Sequence, residues 1–210
     1  MRHTPHYLMT DPDEVRRLIR DNPWMTIVSH TAAGLVASHY AFLLDEQASA
    51  GDAIVLVGHV GRPDEVAHEL GQHEVMLIVQ GPHGYISPSW YEPGDIIPTW
   101  NHVTAHLWGT PEIHTDDENL EALSALTDHF ERHVVNPRGL HLDPEYSRRV
   151  ARGTVGVRVR VTRFDARAKL SQNKPVEVIE RIIGALEGDG PYSHPGLARE
   201  MRRHHDARDS

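Results

Sequence analysis

The 210-residue chain contains no cysteine. That excludes a disulfide framework, an iron–sulfur cluster, a thiolate nucleophile and any cysteine-ligated zinc site. Lysine is almost as scarce, because Lys169 and Lys174 are the only lysines among 21 basic residues. Against 30 acidic residues the formal charge is −9, the wrong sign for a protein that coats nucleic acid by neutralising phosphates. No apolar run nears the roughly 20 residues of a membrane span. Met1-Arg2-His3-Thr4-Pro5 lacks the apolar centre of a secretion signal, so a cytoplasmic location is expected. Neither a Walker loop nor GxGxxG occurs, and Gly-x-Ser-x-Gly is missing, with Ser87 and Ser89 flanking Pro88 in a loop unlike a nucleophile elbow.

Hydrophobic residues make up 39% of the chain and charged residues 24%, enough for a sizeable core in a globular protein. Seventeen histidines are the unusual entry, since imidazole changes charge near physiological pH. His129 and His133, four apart on an expected helix, could reach one metal ion, but Asp128 and Glu131 mark that face as solvated. His102 and His106 share a strand face with Trp100 and Trp108, which favours packing or ring stacking over metal binding. No metal site is expected, and no acid–base pair identifies a catalytic residue.

Local patterns order the elements. Asp11-Pro12 opens a helix with Val15, Leu18 and Ile19 on its buried stripe. Strands are expected at Trp24 to Thr31, Leu35 to Leu44, Ala53 to Val60 and Val75 to Gln80, with a hairpin turn at Ala32-Ala33-Gly34 and a short helix from Pro63 to Gly71. Gly81 to Trp100 reads as structured loop with a short strand near Tyr85 and Ile86. Asn101 to Thr110 alternates as a strand, Val103, Ala105 and Leu107 facing one way. Thr115 and Glu118 form a capping box before a helix carrying Leu120, Leu123, Phe130 and Val134 on one face. A helical piece from Asp143 to Arg152, a strand along Val155, Val157, Val159 and Val161, and helices from Pro175 to Leu186 and Leu197 to His205 complete the chain. The order predicts an α+β fold with a mainly antiparallel sheet of six strands, a split barrel with peripheral helices. Residues 1–187 form the principal domain, and 188–210 a basic C-terminal helix or tail that includes Arg199, Arg202, Arg203 and Arg208.

Two segments carry groups suited to a phosphorylated, polar-edged ligand. Gly58-His59-Val60-Gly61-Arg62-Pro63 ends a strand, turns on glycine and places an arginine where a helix starts, a pattern that favours phosphate but also makes an ordinary strand-to-helix turn. Lys169-Leu170-Ser171-Gln172-Asn173 supplies a cation, a hydroxyl and two amides in five residues, fitting a phosphate or a flavin-like ring edge, while Asn173 also fits a helix cap.

The run Gln80-Gly81-Pro82-His83-Gly84-Tyr85-Ile86-Ser87-Pro88-Ser89-Trp90-Tyr91, followed by Ile97-Pro98-Thr99-Trp100-Asn101, resembles the signature of the PaiB-type family. Its members are described as FMN-binding negative transcriptional regulators. Ala37-Ser38-His39, Gly58-His59 and Lys169-Leu170-Ser171-Gln172-Asn173 agree with it in order and spacing. The resemblance implies a split barrel of the pyridoxamine-phosphate-oxidase type and a homodimer with FMN at the subunit interface. It implies Ser38, Arg62 and the Gly58-His59 backbone at the phosphate, with Lys169 arriving from the partner subunit. Thr99, Trp100 and Asn101 would line the ring, Ser171 and Gln172 would bond its polar edge, and His39 or Trp100 would pack on its face. Three departures stand out: Ser38 where relatives carry threonine, His102 in place of a tyrosine, and Arg62-Pro63-Asp64 in place of Asn-Pro. The expected function is a transcriptional regulator or flavin-dependent redox protein, an FMN-dependent oxidoreductase if an enzyme. A haem-binding split barrel is the alternative. The negative charge argues against direct DNA binding.

Overall fold

The computed structural model describes residues 4–94 and 96–206. Met1-Arg2-His3 and Arg208, named above, lie outside the described residues. The elements in chain order are β1 (Leu8–Met9), α1 (Pro12–Asp21), β2 (Trp24–Thr31), β3 (Gly34–Leu44), β4 (Val55–Gly61), α2 (Arg62–Ala67), β5 (Val75–Ile86), β6 (Thr99–Gly109), β7 (Pro111–Ile113), α3 (Asp116–Glu131), α4 (Pro144–Ala151), β8 (Thr154–Arg160), β9 (Arg163–Lys169), α5 (Val176–Glu187) and α6 (Pro195–Asp206). The α+β class is as expected, but nine strands replace the six read from the sequence. Two of the additional strands, β1 and β7, are only two and three residues long, too short to show a period.

The chain divides into two compact units, and β5 and β6 each contribute to both. One unit holds Asp11–Val79 and His106–Phe164. Within it β2 lies between β3 and β5, and β4 between β3 and β8, all antiparallel. The β2–β3 hairpin turns at Thr31↔Gly34, where Gly34 takes φ +114°, a conformation open to glycine and strained for other residues. Ile27, Phe42, Leu56, Val60, Leu77 and Val157 bury completely, each contributing about 1.5–3 kcal/mol. Helix α1 is held by Asp11, whose side chain accepts from the Asp13 amide, and by Arg16, which donates to the carbonyls of Gly51 at 2.6 Å and Ala53 at 2.9 Å. The capping box of Thr115 and Glu118 opens α3 as expected. Phe130 and Val134, read as its buried face, are exposed instead, and Val134 lies past the helix end.

The other unit comprises the chain up to Thr10, Gln80–Ala105, and the chain from Asp165 onward. Here β5 continues through Gly81, Pro82 and Gly84 to Ile86, although these residues are poor strand formers and were read as loop. Tertiary pairing overrides that weak local preference. Strand β9 departs from the sequence expectation because Arg163-Phe-Asp-Ala-Arg-Ala-Lys169 has a charged residue at every second position and only Phe164 and two alanines between them. Against it β1 pairs antiparallel, with Leu8 opposite Arg167. Helix α5 buries Val178, Ile179, Ile182, Ile183 and Leu186. Helix α6 buries Leu197, Ala198 and Met201, so the basic C-terminal stretch is a docked helix. Its Arg202 pairs with Glu187 at 2.9 Å and Glu180 at 3.3 Å, which neutralises part of the basic stretch.

Gly58 shows how packing decides a residue that the sequence also offered to a ligand. A Cβ there would meet Phe42 Cδ1 at 2.7 Å and the Ala41 carbonyl at 2.8 Å. The Gly58→Ala variant is expected to lose about 1–3 kcal/mol of stability from overpacking, read as a lower urea midpoint with unchanged slope.

Candidate functional site

In the unit that carries β9, a cavity of about 460 Å³ is lined by Thr4, His6, Tyr7, His102, Arg167, Lys169 and Asn173, a volume within the usual range for small-molecule sites. Its wall follows from strand geometry. Residues two apart on a strand share a face, so Arg167 and Lys169 of β9 are presented together, and β1 beside β9 brings up Tyr7 and its neighbours. Arg167 is only 4% exposed and forms an ion pair with Asp165. Among the described residues its buried Nε has no hydrogen-bond partner. Lys169 Nζ donates to Thr99 Oγ1 and to the Trp100 carbonyl, the latter at 3.1 Å. That uses two of its three protons.

The charge of this cavity registers on its histidine. Burial holds His102 below the ordinary imidazole value, and repulsion from Lys169, His83 and Arg167 pushes in the same direction. Burial also lowers Lys169. An otherwise acidic chain therefore gathers positive charge at one concave place, which is a setting for an anionic ligand.

A second cavity of about 250 Å³ shares Tyr7, Lys169 and Asn173 with the first and adds Tyr91, Ile97, Pro98, Thr99, Asn101, Ser171 and Lys174. Asn101 is fully buried, and its Nδ2 donates to Ser171 Oγ at 2.9 Å. Ser171 itself adopts φ +64°, a left-handed conformation costly for a residue with a Cβ. Gln172 closes the same turn on itself, accepting from the Leu170 amide at 2.7 Å and donating to the Ala168 carbonyl. Asn101, Ser171 and Gln172, expected at the ring, thus spend hydrogen bonds on shaping the turn after β9. Trp100 remains 51% exposed, donates to His83 Nδ1 at 3.2 Å and stacks on that ring at 6.0 Å. Beside it, Gly84, Tyr85, Tyr192, Ser193 and His194 line an open aromatic hollow.

The other expected residues lie in the other unit. Ser38 and His39 sit on β3, His39 exposed and stacked on Trp24 at 6.3 Å. Ser38 Oγ meets Nε2 of the fully buried His68 at 3.0 Å, and His68 Nδ1 meets Ser29 Oγ at 2.8 Å. Gly58 and His59 are on β4; burial lowers His59, whose buried Nδ1 has no partner among the described residues. Arg62 donates through Nε to the Arg152 carbonyl at 2.7 Å and lies 3.6 Å from both Glu65 and Asp116. Of the residues that line the main cavity, sequence reasoning named Lys169 as a ligand group and placed His102 beside the expected flavin. It missed Arg167, Tyr7 and His6. Arg167 was findable from the Arg-x-Lys alternation at 167 and 169, had that stretch been read as a strand.

Comparison with known proteins agrees with the sequence resemblance. The chain belongs to the family described as “Putative FMN-binding domain”, whose profile matches residues 1–163. It is 28% identical over 187 residues to the Protease synthase and sporulation protein PAI 2 of Bacillus subtilis, covering 88% of each chain. Among solved structures it shares its fold with the FAD and Heme binding protein from Mycobacterium smegmatis, at TM-score 0.58 and 17% identity over 89% of this chain and 82% of that one. The Flavocytochrome Anf3 from Azotobacter vinelandii matches at TM-score 0.58 and 13% identity over 80% of this chain and 72% of that one. The cofactor that this family membership supports is a flavin. Among the described residues, no helix is long and apolar enough to cross a membrane.

Residues present fit an FMN-like group: a lysine with an unused proton, an arginine in the cavity wall, and amide and hydroxyl groups at hand. Two outcomes follow from this geometry. Asn101→Leu is expected to cost about 1–3 kcal/mol, because Ser171 loses its buried partner, measured by chemical denaturation. His102 is expected to titrate below 6.5 by NMR. Its folded value is depressed, so its contribution to stability is complete above the ordinary imidazole value and is lost as pH falls through the folded value.

Proposed function

We propose that this protein is a homodimeric flavoprotein of the split-barrel type that binds FMN and serves electron transfer or redox-linked regulation. The observation that carries the reading is the concentration of Arg167, Lys169 and His102 around one cavity in a chain of net charge −9, with Lys169 bonded to the carbonyl of the exposed Trp100. Cations recognise a phosphate monoester by charge-assisted hydrogen bonds, and an aromatic face with its partners suits a planar heterocycle. Family membership and the relative from Bacillus subtilis support FMN as the ligand.

FMN, when bound, supplies hydride and single-electron chemistry at its ring. The chain's own residues bind and orient. Lys169 ties the Thr99 hydroxyl and the Trp100 carbonyl to β9, so a contact at Lys169 is transmitted to the segment that carries Trp100. His102, kept neutral by its surroundings, gains a proton when a dianion offsets the field of Lys169 and Arg167. Binding of a phosphorylated ligand is then coupled to proton uptake, and affinity rises as pH falls from 8 toward 6.

Regulation by direct DNA contact has less support, because Arg202 and Arg203 of α6 are ion-paired with Glu180, Glu187 and Glu200. Redox-linked regulation through a metabolite or protein partner is retained in the proposal.

The deciding experiment is titration of the purified protein into FMN. Quenching of flavin fluorescence at one FMN per chain, with a solution mass of two chains, is the expected result. Trp100→Ala should weaken binding about 3- to 10-fold through loss of ring packing. Unchanged FMN fluorescence at excess protein would refute the flavin reading.

A further inference from the structure

Tyr85, Trp100 and Tyr192, with Gly84, Ser193 and His194, enclose a hollow of about 420 Å³, a size suited to a small molecule. Gly84 and Tyr85 come from the end of β5, Trp100 from the start of β6, and the other three from the connection between α5 and α6. The rings form a continuous wall. Tyr85 lies 6.4 Å from Trp100 and 4.9 Å from Tyr192, at interplanar angles of 62° and 57°. Trp100 and Tyr192 are 51% and 49% exposed, so folding leaves much of this aromatic surface uncovered.

The wall from the α5–α6 connection is fixed in place. The Leu186 carbonyl accepts from the His194 amide at 2.7 Å and from the Ser193 hydroxyl at 3.4 Å. His194 Nδ1 accepts from the Leu197 amide at 3.1 Å, and Leu186 and Leu197 are fully buried. Tyr192 is thus carried on an anchored segment while half its surface faces solvent, the arrangement of a preorganised contact. Gly84 keeps the β5 side bare; a Cβ there would meet Leu197 Cδ2 at 3.1 Å. Tyr192, Ser193 and His194 lie beyond residues 1–163, which the family profile matches, so this wall is the chain's own addition.

Polarity restricts what the hollow takes. Among the described residues, no carboxylate, lysine or arginine lines it, so a phosphate or carboxylate finds no counter-charge there. The Trp100 indole N–H is engaged by His83 Nδ1 at 3.2 Å, and the Ser193 hydroxyl by Leu186. The phenols of Tyr85 and Tyr192 are left, together with His194, whose bond from Leu197 puts the imidazole proton on Nε2. All three are uncharged donors. Their hydrogens disfavour a quaternary ammonium, which an aromatic box otherwise suits. A sugar would find no carboxylate or amide side chain in the lining to accept from its hydroxyls. A flat, uncharged ring system whose polar atoms are carbonyl oxygens matches both the rings and the donors. Quinones have that form. They are consumed by nucleophilic thiolates, and this chain has no cysteine.

We propose that this hollow is a quinone site. The ligand stacks on Trp100 and Tyr192, and its carbonyl oxygens accept from the phenols of Tyr85 and Tyr192 and from His194 Nε2. Its use as the electron acceptor of a flavin rests on the preceding reading; the binding site does not.

The test measures para-naphthoquinone, naphthalene, tetramethylammonium and FMN binding separately by calorimetry, on the full-length protein and its variants. Wild type is expected to bind one naphthoquinone per chain and to prefer it over naphthalene by about tenfold, as one or two neutral hydrogen bonds supply. Tyr192→Phe keeps the ring and should lower that preference about threefold. Tyr192→Ala should weaken naphthoquinone itself about tenfold, through the lost ring contact and hydrogen bond. Both should hold FMN affinity within about twofold of wild type, as expected of independent sites. Should Tyr192→Ala prove misfolded by circular dichroism, Tyr192→Phe, which removes one hydroxyl from a half-exposed ring, decides alone. If FMN does not bind while naphthoquinone binds and weakens as stated, the flavin reading falls and the quinone site stands. The proposal is overturned, with the flavin reading intact wherever FMN binds, if naphthoquinone fails to bind or is matched by naphthalene. It is also overturned if the Tyr192 variants leave naphthoquinone unchanged, if tetramethylammonium binds and displaces it, or if Tyr192→Ala weakens FMN as much, since the hollow would then hold the flavin ring itself.

Discussion

The buried hydrogen bond between Asn101 and Ser171 is the constraint on which the cationic cavity depends. Asn101 is inaccessible on β6, and a side-chain amide without partners in such a position costs a large part of a domain's net stability. It finds a partner in Ser171, whose left-handed backbone reverses the chain after β9. That reversal, closed by Gln172 on its own strand, sets where β9 ends. Lys169 and Asn173 consequently line the same space, and Arg167 lies one alternation back. A contact at 3.6 Å between Asn101 Nδ2 and Met201 Sδ links the arrangement to α6. A polar pair with no surface exposure thus positions the groups that face a ligand.

Electrostatics divides the two ligand-suited segments of the sequence into two kinds. The strand-to-helix turn at Gly61–Asp64 is internally neutralised: every cation and hydroxyl there has a carboxylate or carbonyl within reach. Asp165 pairs with Arg167, while Lys169 bonds the Thr99 hydroxyl and the Trp100 carbonyl, in the β9 cavity. Its cations sit in a protein of net charge −9, where their spacing makes them the exception. Burial then amplifies the contrast, since fewer water molecules screen the charges of Arg167 and Lys169 than would screen surface arginines. Burial first, and then repulsion from Lys169, His83 and Arg167, holds His102 below its ordinary value.

Much of the fold was legible because the local signals were strong. The strand from Trp24 to Thr31, the Gly34 hairpin, the Asp11 cap of α1 and the Thr115–Glu118 capping box all depend on neighbours within a few residues, where sequence pattern and energetics coincide. The misreadings fall where long-range pairing prevails. Gly81 to Gly84 is extended because strand pairing satisfies its backbone, and β9 is a strand despite carrying four charged residues in seven. Phe130 looked buried by helical spacing, yet it is 46% exposed.

The residues themselves determined the chemistry on offer. With no cysteine, the polar side chains on offer are those of arginine, lysine, histidine, the carboxylates, hydroxyls and amides. The aromatic run from Gln80 to Tyr91 with Lys169 to Asn173 identified its family. What only the tertiary structure decided was which of those groups remain available. Ser38, Ser171 and Gln172 carry the right functional groups, but they are engaged by Asp64, Asn101 and the β9 backbone, and Arg62 Nε is engaged by the Arg152 carbonyl. Arg167 had no motif to recommend it, yet the pairing of β1 with β9 buries it with an unused N–H. Hydrogen-bond satisfaction is a property of three-dimensional neighbours, and a linear sequence does not list them.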